Sequence, residues 1–372
     1  MTEVLRAIGL MSGTSMDGID VALIETDGEG VVHRRADWSV EYGAEQRKVI
    51  ANALAEASAL TDRTARPPAI AQAEAEITNA HIRAVQGFLE DQELGAADVD
   101  VIGFHGQTVI HKPHERLTVQ IGDGAELARA LGIATVFDLR AADVCAGGQG
   151  APFAPVYHRA MAQALNAAPA VFVNIGGVSN VTYIGQDGDL MAFDTGPGNA
   201  LVDDWVQRHT GASADFGGAH ARKGAGQFDK ALLDEMLDNP FFDLAPPKSL
   251  DRNDFSTQSV EGLSLEAGAA LLTAFTAASL ARSAEWFPDT PKEWVICGGG
   301  RKNPELMRQL KDRLGAQNAN VSVPEDYGFN GDSVEAEAFA YLAVRSLRKL
   351  PLSYPGTTGC PEPLTGGVLC KV

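Results

Sequence analysis

Apolar and polar positions alternate along the first part of the chain in segments of strand-like and helix-like period. Short apolar runs at residues 7–10 and 19–25 predict two strands around a polar loop. After Pro67-Pro68, apolar residues from Ile70 to Phe88 recur on one face and predict a helix. Further strands are predicted at 99–104 and 133–137, with a helix at 124–131 between them.

The same alternation restarts after a glycine-rich patch at residues 147–150. Asn199 is a plausible N-cap for a helix through Trp205, and Asn303-Pro304 supplies a cap and a first-turn proline for another helix. Each half therefore opens with strand, polar turn, strand, and we predict two α/β domains, 1–140 and 141–372, facing each other across a cleft. The remaining predictions are strands at 171–175, 181–184, 190–193 and 294–297, and a long buried helix at 265–286.

Composition narrows the class of partner. The 372 residues suffice for two domains, and 30 Lys and Arg against 49 Asp and Glu give a net charge of −19. Such a surface repels phosphate backbones and anionic lipid, so neither nucleic acid nor a membrane is expected as partner. The four cysteines form no CxxC pair, which favours free thiols over zinc or a disulfide framework. With no signal pattern and no apolar stretch of about 20 residues, a cytoplasmic protein is expected.

The loop between the first two strands holds more hydrogen-bonding groups than a turn requires. It could be a solvated hairpin. It could also be a phosphate cradle, in which glycines let backbone amides approach an anion, hydroxyls add donors and an aspartate positions a hydrated Mg²⁺. No Gly-Lys-Ser/Thr follows, so the loop is not a Walker motif. The candidate nucleotide-binding residues here are Gly13, Thr14, Ser15, Met16, Asp17, Gly18, Ile19 and Asp20.

Two more glycine turns follow strands in the second half. Taken with the opening loop, they resemble the nucleotide site of the sugar kinase, heat-shock ATPase and actin superfamily, in which two hairpins bracket the phosphates and a later turn meets the adenosine. The resemblance implies an α/β, two-domain, actin-like (hexokinase-type) ATPase fold with an interdomain active-site cleft. The candidate nucleotide-binding residues of these turns are Asn174, Gly176, Gly177, Gly298, Gly299 and Gly300.

Several strand ends carry candidate catalytic or sugar-binding groups. Asp194 precedes Thr-Gly-Pro-Gly, where it could start an Asx-turn or project a carboxylate as a general base. The stretch His105-Gly106-Gln107-Thr108 also lies at a strand end. A histidine there is often structural, but the neighbouring amide and hydroxyl form a donor and acceptor set suited to a sugar.

Four charged residues have competing interpretations. Arg140 could lie on the surface or clamp a carboxylate. Glu335 could bind substrate, or it could simply close a capping box with the Asp-Ser pair before it. Lys248 and Arg252 form the best basic pair of an acidic chain, and their loop permits phosphate contact without requiring it.

Read in order, motifs covering nearly the whole chain resemble the anhydro-N-acetylmuramic acid kinase family. The resemblance implies a cytoplasmic, homodimeric bacterial enzyme that uses ATP, Mg²⁺ and water to convert 1,6-anhydro-N-acetylmuramic acid into N-acetylmuramic acid 6-phosphate in cell-wall recycling. By position, residues 13–20 become the nucleotide loop and Asp194 the catalytic base, while residues 105–108, Arg140 and Glu335 lie near the sugar. The motifs include GLMSGTSMDGIDVAL, GFHGQTVIHKP, FDTGPGNALVDDW, CGGGRKNPELM and GDSVEAEAFAYLA.

The chain departs from the family pattern at three places. Met16 replaces a leucine, the stretch from Phe137 lacks two arginines that would follow Arg140, and Lys-Ser-Leu-Asp-Arg at 248–252 replaces Lys-Ser-Thr-Gly-Arg. Three rival interpretations are a kinase acting on a free sugar hydroxyl, an actin-like polymer subunit and a hydrolase with paired carboxylates. The first conflicts with the family-specific motifs; the other two would show nucleotide-dependent sedimentation and nucleotide-independent turnover, respectively.

Overall fold

A computed structural model describes residues 2–13 and 16–372, which divide into two compact units. One unit comprises Met1–Ala164 with Ser333–Val372, and the other is Leu165–Asp332. The predicted division after residue 140 differs from this one for two reasons. The segment directly after residue 140 packs with the first unit, and the C-terminal segment returns to it.

The strands of the described residues follow in chain order. They are β1 (Leu5–Ser12), β2 (Gly18–Thr26), β3 (Val32–Glu41), β4 (Val101–Lys112), β5 (Leu117–Ile121), β6 (Thr135–Phe137), β7 (Ala170–Ile175), β8 (Val178–Ile184), β9 (Leu190–Pro197), β10 (Glu293–Cys297), β11 (Asn320–Ser322) and β12 (Val368–Cys370).

The α-helices are numbered in the same way. They are α1 (Ala44–Ala57), α2 (Pro68–Asp91), α3 (Gly124–Leu131), α4 (Ala141–Ala146), α5 (Ala154–Ala164), α6 (Ala200–Thr210), α7 (Ala219–Lys223), α8 (Lys230–Leu237), α9 (Leu265–Arg282), α10 (Pro304–Gly315), α11 (Val334–Leu347) and α12 (Pro355–Thr358). Among the described residues, no helix has the length and apolar character needed to cross a bilayer.

The first unit is built on a mixed sheet with the order β12-β6-β4-β1-β2-β3, and β5 pairs with the outer part of β4. Strands β1, β2 and β3 form an antiparallel meander. Strand β4 then lies parallel to β1, and β6 lies parallel to β4. The C-terminal strand β12 closes one edge by pairing antiparallel with β6.

The second unit repeats this connectivity in a sheet of order β11-β10-β7-β8-β9. Strands β7, β8 and β9 form the antiparallel meander, β10 lies parallel to β7, and β11 lies parallel to β10. The predicted α/β class with two sheet-based units is thereby confirmed, and the two halves share not only the predicted strand, turn, strand opening but the whole order of five strands.

Close packing of α11 against the first sheet depends on two glycines. A Cβ at Gly9 on β1 would collide with the Ala336 carbonyl, and one at Gly103 on β4 would collide with the Phe339 carbonyl. Because no side chain separates the helix from these strands, α11 lies directly on β1 and β4, with its first turn over β1 at Gly9. That turn carries Glu335.

Three predicted helix boundaries can be compared with the structure. The Asn303 side chain caps α10 as predicted, accepting from two first-turn amides. The α-helical part of the predicted 265–286 helix ends at Arg282 and continues as a 3₁₀ turn. Asn199 does precede α6, but its side chain makes no cap and instead donates to the Ile175 carbonyl at 3.3 Å.

Candidate functional site

The loop between β1 and β2 is bordered by a buried hydrogen-bond network. Thr14 and Ser15, both predicted to bind nucleotide, lie outside the described residues. The Ser12 hydroxyl donates to Gln107 Oε1 at 2.6 Å and lies 2.8 Å from the Tyr42 hydroxyl. The Gln107 amide nitrogen donates to the Gly13 carbonyl at 3.1 Å, as the Met16 amide does at 3.2 Å. The start of the loop is therefore fixed from β4.

The later part of the predicted nucleotide loop already belongs to β2. A Cβ at Gly18 would collide with the Val40 carbonyl of β3, so this glycine is required for sheet packing. Ile19 is buried in the hydrophobic core, and only its backbone is available to a ligand. The Asp20 carboxylate accepts a hydrogen bond from the Ser39 hydroxyl at 2.5 Å. Asp17 lies in the turn just before β2, and its backbone carbonyl accepts from the Tyr42 amide at 2.9 Å.

In the β4 segment, two of the four predicted sugar-binding residues have a structural role. Gly106 has a φ of +71°, and a Cβ there would meet the Ile121 carbonyl, so the strand turns at a position that requires glycine. Gln107 is fully buried and uses both ends of its amide to hold the β1–β2 loop. Thr108 is less buried, and its hydroxyl accepts from Gln120 Nε2 at 3.2 Å. Of these three, Thr108 has the most accessible side chain.

His105 is a buried partner of Arg140. Arg140 Nε donates to His105 Nε2 at 3.0 Å, which requires the tautomer with its proton on Nδ1. Burial lowers the pKa of His105 well below its usual value, and the nearby Arg140 charge lowers it further. The ring packs on Phe339 with centroids 4.6 Å apart. His105 therefore orients the guanidinium as a neutral acceptor.

The Arg140 guanidinium is held on several sides. Its Nη1 donates to the Gly150 carbonyl at 2.7 Å, and its carbon atom lies 5.4 and 5.7 Å from the ring centroids of Phe153 and Phe339. Burial lowers its pKa to about 10, so it stays charged at neutral pH. Among the described residues no carboxylate forms an ion pair with it, which makes a bound anion its natural complement.

Of the carboxylates whose charge raises the pKa of Arg140, Glu335 has the largest effect. Although solvent reaches its side chain, the surrounding protein disfavours the charged form and raises the pKa of Glu335. The Arg140 charge opposes this shift, and the charges of Asp20 and Asp17 add to it. The helix-capping interpretation does not hold, because no side-chain cap is formed at Ser333 and the Asp332 carboxylate pairs with Arg301 instead.

In the second unit a polar row crosses three neighbouring strands. Asn174 of β7 pairs with Asn180 of β8, which pairs with Asp194 of β9. Residues paired directly across strands share one face of a sheet. The adjacent row contains Val173, Val181 and Phe193, all members of the apolar core. Asp194 thus ends a line of polar side chains on the face opposite that core.

The Asp194 carboxylate is partly buried, and the described part of the chain gives it one hydrogen bond. Its Oδ2 accepts from the Leu250 amide at 2.8 Å, and its backbone amide donates to the Lys248 carbonyl at 2.9 Å. Burial raises its pKa to about 6, and the Leu250 bond limits this rise. No Asx-turn contact from this side chain is found among the described residues. A carboxylate with a pKa near neutrality can accept a proton in mid-reaction.

The two predicted glycine turns of this unit pack against each other. The Gly176 and Gly177 carbonyls accept from the amides of Asn199 at 2.7 Å and Gly198 at 2.9 Å. Gly298 has a φ of +73°, and a Cβ there would collide with Asn174 Oδ1. The turn continues into a 3₁₀ segment, Gly299–Lys302. At Gly177 and Gly299, by contrast, a Cβ would meet no atom closer than 3.7 Å, so the protein itself would tolerate a side chain at these two positions.

Neither cation of the 248–252 loop is free for phosphate. Lys248 Nζ donates to the Phe241 and Phe242 carbonyls at 2.9 and 3.1 Å. Arg252 pairs with Asp204 at 2.7 Å on the surface.

The carboxylates of the first unit are the candidates for binding a metal ion. Within residues 2–13 and 16–372, no group of three or more His, Cys, Asp or Glu side chains could hold a metal ion. Mg²⁺ is usually bound by one or two carboxylates with water and substrate phosphates. Asp17 and Asp20, whose charges both act on Glu335, fit that smaller donor set.

Sequence reasoning missed two residues that shape the site. Asn180 lies between Asn174 and Asp194, and the alternation of core residues along β8 could have placed it on their face. Arg301 is nearly buried, and its Nη1 donates to the Gly298 carbonyl at 3.0 Å while its guanidinium pairs with Glu325. No local pattern distinguishes this arginine from a surface one.

Comparisons with known proteins cover the whole chain. A family model described as anhydro-N-acetylmuramic acid kinase matches residues 5–371. Proteins of that name are 51% identical over 368 residues in Bradyrhizobium diazoefficiens, covering 99% of both chains, and 52% identical over 370 residues in Rhizorhabdus wittichii, again covering 99% of both. The one from Agrobacterium fabrum is 50% identical over 374 residues and all of both chains. Among solved structures, a hexokinase from Schistosoma mansoni complexed with glucose is 11% identical with a TM-score of 0.41, covering 91% of this chain and 85% of that one.

Proposed function

The chain belongs to the anhydro-N-acetylmuramic acid kinase family, and from this premise we propose that it uses ATP and water to convert 1,6-anhydro-N-acetylmuramic acid into N-acetylmuramic acid 6-phosphate and ADP. It is then a phosphotransferase of peptidoglycan recycling that hydrolyses an internal ether and phosphorylates the oxygen released. We also propose that it works in the cytoplasm as a homodimer.

Asp194 is the structural observation that carries the proposal. The substrate's C1 and O6 are joined by an ether, so there is no free 6-hydroxyl to phosphorylate. Water must attack C1 while O6 leaves towards the γ-phosphorus of ATP. A partly buried carboxylate with a pKa of about 6, whose Oδ2 is held by the Leu250 amide, is suited to take the proton from that water.

One carboxylate is enough for this chemistry. Ordinary glycoside hydrolysis uses a second carboxyl group to protonate the leaving oxygen. Here the phosphoryl group captures that oxygen, so no acid is needed on its side. This agrees with the surroundings of Asp194, whose pKa shift has two contributions, burial and the Leu250 amide, and none from a second carboxylate.

Arg140 and Glu335 are proposed as sugar-binding residues of the first unit. Arg140 is a fixed, charged donor without a carboxylate partner among the described residues, which suits the lactyl carboxylate of a muramic acid. Glu335 can accept hydrogen bonds from sugar hydroxyl or amide groups. His105 and Gln107 are assigned indirect roles, since one orients Arg140 and the other holds the β1–β2 loop.

ATP binding is assigned to the two hairpins and the later glycine turn. Gly177 and Gly299, where a Cβ would make only ordinary van der Waals contacts within the protein, are proposed as points of close backbone approach to the nucleotide. Asp17 and Asp20 would hold Mg²⁺, and the ion would neutralise charge on the transferring phosphoryl group. Phosphoryl transfer itself depends mainly on positioning.

Mass spectrometry of the sugar after incubation with the protein tests this proposal. With Mg-ATP, the product should gain the mass of one water and one phosphoryl group. Without nucleotide, the anhydro sugar should remain unchanged. Ring opening without ATP would identify a simple hydrolase, whereas phosphorylation only of a sugar with a free 6-hydroxyl would identify an ordinary sugar kinase.

A further inference from the structure

Lys248 is a partly buried cation that the proposed chemistry does not use. Its Nζ lies 4.6, 5.5 and 5.8 Å from the ring centroids of Phe241, Trp286 and Phe193. We call these three side chains the aromatic cage. It also donates to the Phe241 and Phe242 carbonyls at 2.9 and 3.1 Å. A phosphate-binding lysine needs an ammonium group that is available to the ligand, whereas the ammonium group of Lys248 is already hydrogen-bonded within the protein.

The backbone of the same residue holds Asp194. The Asp194 amide donates to the Lys248 carbonyl at 2.9 Å, and the Leu250 amide donates to Asp194 Oδ2 at 2.8 Å. Phe193, the residue just before Asp194, supplies one ring of the aromatic cage. The side chain of Lys248 and the backbone of residues 248–250 therefore contact β9 at consecutive positions.

The charges around both groups are few. Burial lowers the pKa of Lys248, the Arg282 charge lowers it further, and the Asp243 charge opposes this. Arg282 and Asp243 themselves form an ion pair at 2.6 Å. For Asp194 the contributions are burial and the Leu250 amide. A movement of residues 248–250 would thus change the one hydrogen bond that favours the charged form of Asp194.

We propose that Lys248 is a positioning residue for Asp194: its caged ammonium group fixes residues 248–250, and this segment holds the Asp194 backbone and carboxylate in their reactive place. The inference rests on the proposed function only where it concerns turnover. The positioning itself is a property of the second unit alone and can be measured without substrate.

The test compares four variants in the full chain. Lys248→Met fills the aromatic cage without charge or donors, Lys248→Gln is a polar alternative in case the first variant folds poorly, and Lys248→Arg keeps the cation. Lys311→Met, at an exposed position on α10, is the matched control. Carboxyl-carbon NMR titration without ligands follows Asp194, whose signal is assigned by its loss in Asp194→Asn.

In Lys248→Met and Lys248→Gln, the pKa of Asp194 should rise by about half a unit to one unit, the equivalent of an ordinary hydrogen bond. Lys248→Arg should reverse part of this rise, and Lys311→Met should show none. In turnover, kcat should fall about tenfold with little change in KM for the sugar, and the acid limb of kcat should move to higher pH. A purely structural role would lower kcat equally at every pH.

An unchanged pKa of Asp194 in a folded Lys248→Met or Lys248→Gln variant would overturn the inference. A shifted pKa with unchanged kcat would leave the positioning intact and refute the assignment of Asp194 as base. The two failures are therefore distinguishable.

Discussion

In the first unit, β4 is long and pairs with β5 from Gln107 onward. It carries His105, Gln107 and Thr108 within its length and not at its end, where the sequence predicts them. In the second unit, the corresponding strand β10 stops at Cys297 and turns at once through glycines. The same connectivity thus presents polar side chains in one unit and bare backbone in the other. Two units with the same strand connectivity can therefore carry different functional groups on equivalent strands.

The carboxylates of the two units also differ in their charged surroundings. In the first unit, the charges of Arg140, Asp20 and Asp17 all act on the Glu335 carboxylate. For Asp194 of the second unit, the pKa shift comes from burial and the Leu250 amide, and no charged group of the described residues contributes to it. Grouped charges suit the binding of an ionic ligand, and an isolated carboxylate suits proton transfer. We therefore assign recognition of the sugar to the first unit and the general base to the second.

Asp194→Asn should have the largest effect on turnover. The new side chain can still accept from the Leu250 amide through its oxygen, so the fold should persist. It can no longer accept a proton, and loss of a general base costs about 10²–10⁴-fold in rate. Steady-state kcat is the measurement, with the circular dichroism spectrum as control. A kcat within a few-fold of wild type would move the base elsewhere.

Arg140→Lys should chiefly raise KM for the sugar. Lysine keeps the charge but cannot donate to His105 and Gly150 together while facing a ligand. Losing a charged hydrogen bond costs about 1.5–3 kcal/mol, which is roughly a 10- to 100-fold rise in KM. KM for ATP should change little. An equal rise in both constants would argue against a sugar-specific role.

Two variants of His105 test whether this residue orients Arg140 by accepting a hydrogen bond. His105→Gln offers an amide oxygen to Arg140 Nε, whereas His105→Leu offers none. The glutamine variant should retain more sugar affinity than the leucine variant. Equal affinities in two folded variants would show that the 3.0 Å contact does not orient Arg140.

Replacement by alanine should affect stability at one glycine of the second unit and ATP binding at another. Gly298→Ala places a Cβ against Asn174 Oδ1 at a φ of +73°, and should cost about 1–3 kcal/mol of unfolding free energy. Gly177→Ala meets nothing closer than 3.7 Å within the protein, so stability should stay within about 0.5 kcal/mol of wild type. Its KM for ATP should nevertheless rise. Denaturant unfolding and ATP titration separate the two effects, and unchanged ATP binding in Gly177→Ala would exclude close nucleotide approach there.

The smallest expected effect is a pH-dependent gain in stability in Asp194→Asn. The pKa of Asp194 is about 6 when folded, above its usual value of 3.8, so the folded state binds this proton more tightly than the unfolded state. The carboxyl group therefore supports folding best below about pH 4 and loses that contribution as pH rises through 6. The variant should raise Tm at pH 8 and show a smaller gain at pH 4. A gain independent of pH would mean that the charge is not the cause.

Much of the fold could be predicted because its signals are local. The apolar runs of β1, β7 and β10 and the cap of α10 by Asn303 are read directly from short stretches. The division into units could not be predicted in this way. It depends on α11 packing against Gly9 of β1 and Gly103 of β4, and the Gly9–Ala336 contact joins residues more than three hundred positions apart.

For the candidate site, too, local features could be predicted from the sequence and long-range contacts could not. The motifs that contain Asp194, Arg140 and Glu335 are enough to suggest these three residues as functional groups. The partners of the site residues were not predictable, because Gln107 and His105 look like free ligands in sequence and prove to be bonded within the protein. Lys248 likewise resembles a phosphate-binding lysine until the aromatic cage is seen.

The central claim is that water activated in the second unit attacks C1 while the bridge oxygen receives the phosphoryl group. Turnover in ¹⁸O-water, with prompt borohydride reduction to trap the C1 oxygen before exchange, tests it most directly. Fragment mass spectrometry of the reduced sugar phosphate should place one ¹⁸O on C1 and none in the phosphate ester. Label in the ester oxygen, with C1 unlabelled, would contradict the account.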